Sequence, residues 1–341
     1  MGIRNKILDL ATYPTFAECA TRVLPPWVTV FMLHRMAAPG VSGIEPEHLR
    51  RCLRYLQENH YEFIDIDEAI KLAADNRLTR KRWVAFTVDD GFHDQVTTAA
   101  DIFREFNCPA TCFLVTGFVD GQLWPWDYQL MHIARLAGPQ TIRIDIKGQQ
   151  HILELGLPDT KHFLLEFMRK VAPGAAYEST QAIAHAAGID LPVQPPADMQ
   201  PASWDDVRKA ELKGMRFGPH SVSHHILSKL DDEILQAEMV GSCQRLREEC
   251  RNPSQLFCYP SGKANEFDIR TIKIARDLGL IGALSAEEGF LEAGKLQKYP
   301  NYRFAIPRLP IPNDFAEFKL YVSWLQHLRE RVAQSPLQKF Y

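Results

Sequence analysis

Two adjacent carboxylates, Asp89 and Asp90, are the side chains of this sequence best suited to chemistry. They end the apolar run VAFTVDDGF at 84–92, and Gly91 follows them. Runs rich in Val and Phe are typical of buried strands, whereas two bare carboxylates side by side raise the pKa of one of them. A nearby cation removes that cost. We therefore expect one carboxylate to bind a metal ion while the other accepts a proton.

A second polar cluster follows another strand-like run. His220 and His224 end the stretch MRFGPHSVSH at 215–224. Their i, i+4 spacing would place both on one side of a helical turn, which suits a metal ion. With Asp90 they would form a two-histidine, one-carboxylate set that leaves a position open for water, as in hydrolytic zinc sites, and that can also hold Fe(II).

Each motif is weak by itself, because DDG is most often a turn and HxxxH is more often a solvated pair. Their joint position decides the interpretation. Both follow a strand-like run, and the carboxyl ends of strands in a (β/α) barrel meet at one face. We therefore predict that the two motifs form one site.

The elements that must position these residues alternate along the chain. Helical spacing at 49–56 and at 235–246, the second preceded by Asp231 as an N-cap, separates short apolar runs. This alternation predicts an α/β fold with a parallel sheet or a barrel, and seven strand candidates fit a barrel-like (β/α) arrangement. The predicted strands are 28–33, 83–88, 110–115, 215–218, 256–259, 281–285 and 304–306.

The domain organisation follows from the segments that do not fit this alternation. We predict a barrel over 28–311 with a helical insertion at about 120–200, which ends in the Pro-rich LPVQPPADMQP. Helical extensions are predicted at 1–27 and 312–341. Tyr321, Trp324 and Leu325 in the second extension could lie on a membrane surface, although packing onto the barrel is the more common arrangement.

Composition excludes several classes of protein. The net charge of -3 gives no electrostatic support for a nucleic-acid partner. Seven scattered cysteines without a CxxC pair favour reduced thiols. The N-terminal residues lack a signal-peptide core, and no apolar run is long enough for a transmembrane segment. We expect a cytoplasmic protein, with peripheral attachment to the inner face of the membrane as an alternative.

Several stretches together resemble the polysaccharide deacetylases, carbohydrate esterase family 4. TVDDG at 87–91 resembles the family's first motif, with Val88 in place of Phe, and HSVSH at 220–224 resembles the second. LFCYPSGK at 256–263 resembles the third motif. VFMLHRM and CPATCFLVTGFVDG resemble the strands before and after the first motif. The resemblance covers roughly 28–120 and 201–311.

The resemblance implies a distorted (β/α) barrel with fewer than eight strands and a metal-dependent hydrolase that removes an N-acyl group, usually N-acetyl, from an amino sugar. By position, Asp89 would be the general base, and Asp90, His220 and His224 would bind a divalent metal. Zn²⁺ is our first expectation, with Fe²⁺, Co²⁺ or Ni²⁺ as alternatives. The metal would polarise the acyl carbonyl and lower the pKa of a bound water.

The third motif and the strand ends supply the other expected site residues. The backbone N–H of Ser261 would stabilise the oxyanion, in a loop shaped by Pro260 and Gly262. His34, at the end of the first strand, is expected in the pocket. Trp126 is a candidate for stacking on a sugar ring, against the commoner alternative of packing.

Two departures from the family pattern are informative. Cys258 occupies the position of the third-motif arginine, which normally orients the catalytic aspartate, and Arg308 is a possible substitute. The last motif of the family supplies a histidine as general acid, but FAIPRLPI at 304–311 contains none. The candidates for that acid are His34, His93 and His225.

The expected substrate is an N-acylated amino sugar of cell-surface polysaccharide biosynthesis, in a nucleotide-linked, lipid-linked or other precursor form. One alternative is a glycan-binding protein that has kept the fold and lost turnover. A phosphoacceptor domain of receiver type is a second alternative, but it would leave HSVSH without a role. The sequence leaves the sugar, the acyl group and the oligomeric state open.

Overall fold

The barrel is built from a parallel sheet whose central strands are buried on both faces. The computed structural model describes residues 23–171, 174–332 and 340, so most of the predicted extension 1–27 lies outside the described residues. The strands are β1 (Trp27–Leu33), β2 (Glu62–Phe63), β3 (Trp83–Asp90), β4 (Ala110–Leu114), β5 (Gln140–Ile146), β6 (Gln149–Leu155), β7 (Arg216–Pro219), β8 (Leu256–Cys258), β9 (Gly282–Leu284), β10 (Leu291–Glu292) and β11 (Leu309–Pro310).

Parallel pairing orders the main sheet as β1, β3, β4 and β7, with β11 on the other side of β1. β8 and β9 form a separate parallel pair. Two contacts connect that pair to the rest of the barrel. Ser254, just before β8, donates its N–H to the Phe217 carbonyl of β7 at 2.7 Å, and Leu284 of β9 forms a bridge with Ile306. The resulting ring of seven strands confirms the predicted distorted (β/α) barrel.

The residue types explain why these strands form. β1 and β3 read WVTVFML and WVAFTVDD, and nearly every residue of both is buried. Continuous apolar runs of this kind are expected where helices or core cover both faces of a parallel sheet. β2 and β10 add two-residue ladders at the beginning of β3 and β1.

Helices cover the outside of the barrel and form most of the insertion. The predicted stripe of Leu49, Cys52, Leu53 and Leu56 is buried, and Asp231 caps its helix by accepting the Ile234 N–H at 2.9 Å. The α-helices are Pro46–Glu58, Ile66–Ala74, Ala100–Glu105, Thr116–Val119, Trp126–Leu136, Thr160–Val171, Ala176–Ala186, Trp204–Leu212, Asp232–Glu249, Ile269–Asp277, Ala293–Lys298, Phe315–Tyr321 and Trp324–Val332.

The predicted strand 304–306 is wrong. Tyr302–Phe304 forms a turn of 3₁₀ helix, and Ile306 makes only one isolated bridge. Pro307 follows at once and has no N–H to continue a ladder. The strand that closes the barrel is β11, where Leu309 pairs with Phe31 of β1.

The insertion also differs from the prediction, because it is not wholly helical. β5 and β6 form an antiparallel hairpin around Lys147 and Gly148, which both have positive φ. Its buried residues alternate along the chain, as in Ile142, Ile144 and Ile146. That period of two is the sequence signal that identifies a hairpin here.

The C-terminal helices pack on the barrel. The ring of Phe318 stacks on Phe31 with centroids 5.2 Å apart, and His327 stacks on Trp27 at 4.2 Å. Tyr61 donates its hydroxyl to the Val322 carbonyl at 3.1 Å. Within the ranges described, every helix falls short of the length and apolar character needed to cross a membrane.

Candidate metal and catalytic site

The two aspartates of the first motif end β3 in a tight left-handed turn. Asp89 and Asp90 are 2% and 1% exposed, and Asp90 and Gly91 have φ of 95° and 97°. A Cβ on Gly91 would lie 3.0 Å from the Leu114 side chain, so the positive φ and the tight packing together favour glycine here. The turn brings both carboxylates close to His220, as the sequence predicts.

Asp90, His220 and His224 converge into one compact group. Their ligand atoms all lie within 4.8 Å of one another. Asp90 Oδ1 is 3.6 Å from Nε2 of His220 and 3.6 Å from Nε2 of His224. Two nitrogens and one oxygen facing a common point fit a divalent metal ion, so the donor set matches the predicted cofactor.

Neighbouring groups fix the orientation of each donor. His220 Nδ1 lies 2.8 Å from the Cys258 carbonyl, which can only accept a hydrogen bond, so Nδ1 carries the proton and Nε2 keeps its lone pair. His224 Nδ1 lies 3.3 Å from Asp127 Oδ1. Tyr128 donates its hydroxyl to Asp90 Oδ2 at 2.7 Å. Such contacts are the usual support of metal ligands.

The two histidines titrate differently because their neighbours differ. Burial disfavours the charged form of both rings. For His220 burial dominates and lowers the pKa to about 4. For His224 burial also lowers the pKa, but the carboxylates of Asp127, Asp90 and Asp89 together outweigh it and raise the pKa to about 9. A metal ion held by His224 would therefore compete with protonation of that ring.

Arg308 forms a two-pronged ion pair with Asp89. Its two terminal nitrogens donate to Asp89 Oδ1 and Oδ2 at 2.8 and 2.7 Å. Its Nε donates to the Ser285 carbonyl at 2.8 Å, and one terminal nitrogen lies 3.2 Å from Cys258 Sγ. Burial raises the pKa of Asp89, but the Arg308 guanidinium outweighs burial and holds that pKa well below its usual range.

Gln95 holds the turn of the first motif, and sequence reasoning missed it. Its Oε1 accepts the N–H groups of Gly91 and Phe92 at 2.8 and 2.9 Å. Its Nε2 donates to the carbonyls of Asp89 and His34. Gln95 is fully buried and begins a π-helical turn, Gln95–Ala99, which the sequence does not signal.

Glu238 holds the loop of the second motif in the same way, through hydrogen bonds to backbone N–H groups. Its Oε2 accepts the N–H groups of Val222 and Ser223 at 3.0 and 2.9 Å. The predicted helical turn at 220–224 is wrong, since the segment is an irregular loop in which Ser221 and His224 have positive φ. The Glu238 carboxylate thus pairs two backbone N–H groups of this irregular loop.

The other expected site residues are distributed over the barrel mouth and the core. His34 is exposed at the end of β1, where the pairing of Leu33 with Val88 places it level with Asp89. Trp126 is fully buried and donates its Nε1–H to the His224 carbonyl at 2.9 Å. The expected sugar-stacking role of Trp126 is corrected to packing behind the histidine loop, because its ring faces no solvent.

The third-motif loop follows β8 as expected. Ser261 and Gly262 have φ of 57° and 69°, and Pro260 precedes them. A Cβ on Gly262 would lie 2.8 Å from the Ala286 nitrogen. Among the described residues we find no acceptor for the Ser261 N–H, and Ser261 is only partly buried. That N–H is free to bind a substrate oxygen.

Two of the candidate acids lie outside the cavity that His34 lines. His93 is exposed beyond the turn, where its N–H donates to the Gln200 carbonyl. His225 packs edge-on against Tyr177, with ring centroids 5.3 Å apart. His34 instead lines a cavity of about 590 Å³ together with Asp127 and Tyr128. Asp127 and Tyr128 contact His224 and Asp90, so His34 is the candidate acid whose cavity borders the candidate metal-ligand group (Asp90, His220 and His224).

Comparisons with known proteins identify the family. No curated protein sequence matches the chain. The family model described as polysaccharide deacetylase matches residues 76–283, more than half of the chain.

Solved structures with similar folds include the Streptococcus pyogenes deacetylase PplD in complex with acetate, at 16% identity and TM-score 0.58, covering 88% of this chain and 99% of that one. IcaB from Ammonifex degensii is similar at 14% identity and TM-score 0.56, over 87% and 97% of the two chains. These structural likenesses match the barrel described above, and the extent of the family-model match shows that the chain belongs to the polysaccharide deacetylase family.

Proposed function

We propose that this protein is a metal-dependent deacetylase that hydrolyses the N-acetyl amide of an amino sugar in a precursor of cell-surface polysaccharide. One observation carries the proposal: the buried Asp89 carboxylate, held by Arg308, lies beside the convergent group of Asp90, His220 and His224. A fixed anionic base next to three metal donors is the arrangement that amide hydrolysis needs. Family membership supports de-N-acetylation.

Asp90, His220 and His224 would hold the metal ion, with Zn²⁺ as the first choice for a donor set of two imidazoles and one carboxylate. When bound, the ion would supply a Lewis acid that polarises the acyl carbonyl and makes water more acidic. His220 and His224 are suited to this role because their second nitrogens already face the Cys258 carbonyl and Asp127.

Asp89 would accept the proton of the attacking water. Arg308 keeps Asp89 ionised and fixes both of its oxygens, so that the base is present in the right form at neutral pH. The arginine reaches Asp89 from beside β11, whereas the family places it on the third-motif strand. Cys258 occupies that position here and contacts the same guanidinium.

His34 would donate a proton to the leaving amine as the C–N bond breaks. β1 lies between β3 and β11, so His34 stands at the barrel mouth between the elements that carry Asp89 and Arg308. Gln95 contacts the carbonyls of both His34 and Asp89, which fixes the spacing between proposed acid and base. The Ser261 N–H would stabilise the oxyanion.

The proposal is tested by acetate release from N-acetyl amino sugars. We expect activity that disappears when a chelator removes the metal and returns when Zn²⁺ or another divalent ion is added. Metal content, measured on the same samples, should rise and fall with activity at one ion per chain. Bound metal without acetate release from sugars, oligosaccharides or their phosphate-linked forms would contradict the enzymatic proposal and favour a glycan-binding role.

His34→Asn is expected to lower kcat/KM on an N-acetyl amino sugar by about 10²-fold, because general acid catalysis typically contributes 10²–10⁴-fold. The loss should be much smaller on an activated acetyl ester, whose leaving group needs no proton. The ratio of the two rates is the measurement. His93→Asn, an exposed histidine outside the cavity, is the matched control and should keep both rates. Equal losses of His34→Asn on both substrates would contradict the acid role.

A further inference from the structure

The cavity beside the metal-ligand group extends well beyond the reacting atoms. It has a volume of about 590 Å³ and lies between the loop after β1 and two helices of the insertion, Trp126–Leu136 and Thr160–Val171. Asp127 and Tyr128 belong to its wall and also contact His224 and Asp90. Asp127 and Tyr128 therefore form the inner end of the cavity and connect it to the metal-ligand group.

One face of the helix Trp126–Leu136 defines the inner and outer ends of the cavity. Tyr128, Met131 and Arg135 lie on one face of this helix and all three line the cavity. Arg135 lies seven positions after Tyr128, which corresponds to about 10 Å along a helix. Tyr128 is buried against Asp90, whereas the Arg135 side chain is 44% exposed. Arg135 thus marks the outer end of the cavity.

A second cation lies on the facing insertion helix. Lys161 and Leu165, one turn apart, also line the cavity. Within 23–171 and 174–332 the structure shows no ion pair or hydrogen bond for the Lys161 ammonium, and the residue is exposed. A long cation in a cavity wall without a carboxylate partner is available to a ligand.

The carboxylates of the wall do not cancel this charge. Asp198 pairs with Arg135 at 2.5 Å, and Asp127 faces His224. The remaining cation of the wall, Arg35, pairs with Asp94 at 3.0 Å and lies over the Phe92 ring. Arg135 is paired with Asp198, and Lys161 has no carboxylate partner among the described residues, so the outer end of the cavity keeps one unbalanced positive charge.

We propose that this cavity selects an amino sugar that carries an anionic group, a phosphate or a carboxylate, which Lys161 and Arg135 contact. The inference rests on the deacetylase function proposed above and names its substrate class. The acyl group would lie at the inner end, against the metal-ligand group, and the anion would lie at the outer end. Met131 and Leu165 between the two ends offer an apolar wall to the face of a sugar ring.

The experiment compares kcat/KM on three probes at low salt. They are the methyl glycoside of N-acetylglucosamine, which is uncharged, N-acetylglucosamine 1-phosphate and N-acetylmuramic acid, which carries a carboxylate. We expect the wild type to prefer at least one anionic probe about fivefold, a factor typical of a partly exposed charge pair. Preference for the phosphate or for the carboxylate distinguishes the two sources of charge. Higher salt should reduce the preference.

Variants assign the preference to the outer end of the cavity. Lys161→Ala should abolish the preference, and Lys161→Glu should invert it. Lys170→Ala is the matched control, because Lys170 lies on the same helix, is exposed, pairs with Glu166 and does not line the cavity. It should keep the wild-type ratio.

Failure of this inference is distinguishable from failure of the deacetylase proposal. The anion subsite is overturned by equal rates on charged and uncharged probes, or by an anionic preference that Lys161→Glu leaves intact. Neither result contradicts the deacetylase proposal. If no probe is hydrolysed, calorimetric binding of glucosamine 1-phosphate to wild type and Lys161→Ala decides the inference by itself. Equal binding to both proteins overturns it, and at least threefold weaker binding to Lys161→Ala supports it.

Discussion

Asp89→Asn is expected to lower kcat/KM on an N-acetyl amino sugar by at least about 10³-fold while the protein keeps its metal ion. The amide preserves the shape of the side chain but cannot accept the proton of the attacking water, and general base catalysis contributes up to about 10⁴-fold. Asp90, His220 and His224 are unchanged in this variant. Acetate release and metal content, measured on the same preparation, separate the loss of a base from the loss of a metal site.

Asp67→Asn provides a matched control for the removal of a buried carboxylate. Asp67 is as buried as Asp89, but it lies at the opposite end of the barrel, where it accepts hydrogen bonds from Ser254 and the Gln255 N–H. This variant should lose stability and keep kcat. Substantial turnover by Asp89→Asn, or loss of its metal, would show that Asp89 is not the base.

Much of the barrel could be predicted because its strands are buried on both faces. β1, β3 and β4 appear in the sequence as largely apolar runs, β7 appears as a shorter run that contains Arg216, and the structure confirms each of them. The end of the barrel was less predictable, because β11 has only two residues, Leu309 and Pro310, and further prolines stand at 307 and 312. An edge that depends on single bridges, such as Leu284 with Ile306, leaves no periodic signal.

The insertion shows how a weak signal can be overlooked. The alternating isoleucines of β5 favour a strand, but the turn at Lys147 and Gly148 lacks the Asn-Gly or Asp-Gly pair that marks many hairpins. The helical pattern on either side then dominates the interpretation. The period of the buried residues was the more reliable guide, because it reports which face packs against the core.

The sequence predicted the charged residues of the candidate site but not the side chains that hold them in position. Motif spacing singled out Asp89, Asp90, His220 and His224, and the structure brings all of them together. Gln95 and Glu238 bind backbone groups of the two motif loops through side chains. Tyr128 and Asp127 reach the site from the insertion. Contacts of this kind depend on the tertiary path of the chain, so a single sequence carries no pattern for them.

Arg308 stands next to β11, the strand that closes the barrel, and it also pairs with the proposed base Asp89. Arg308→Met should therefore lower both the stability and the activity of the protein. The guanidinium and Asp89 form a buried pair, 1% and 2% exposed. Removing one partner of such a pair usually costs about 3–5 kcal/mol, because the other charge stays buried without compensation. We therefore expect the free energy of unfolding, measured by denaturant titration at neutral pH, to fall by about that amount.

The same variant should change the pH dependence of activity. In the wild type, Arg308 holds the pKa of Asp89 below its usual range, so the contribution of this pair to stability is present above about pH 4 and is lost as the pH falls below it. Without Arg308, burial is the dominant influence and raises the pKa of Asp89. The acid limb of the kcat/KM profile should then move to higher pH.

A double variant separates the structural from the catalytic role of the pair. Asp89→Asn/Arg308→Met contains neither charge, so its stability should recover part of what each single variant loses, while its activity stays as low as that of Asp89→Asn. Cys258→Arg/Arg308→Met asks whether an arginine on β8 can replace one beside β11, since Cys258 Sγ already contacts the same guanidinium. Additive losses of stability in the first double variant would mean that Asp89 and Arg308 are not coupled, and the base would then need another partner.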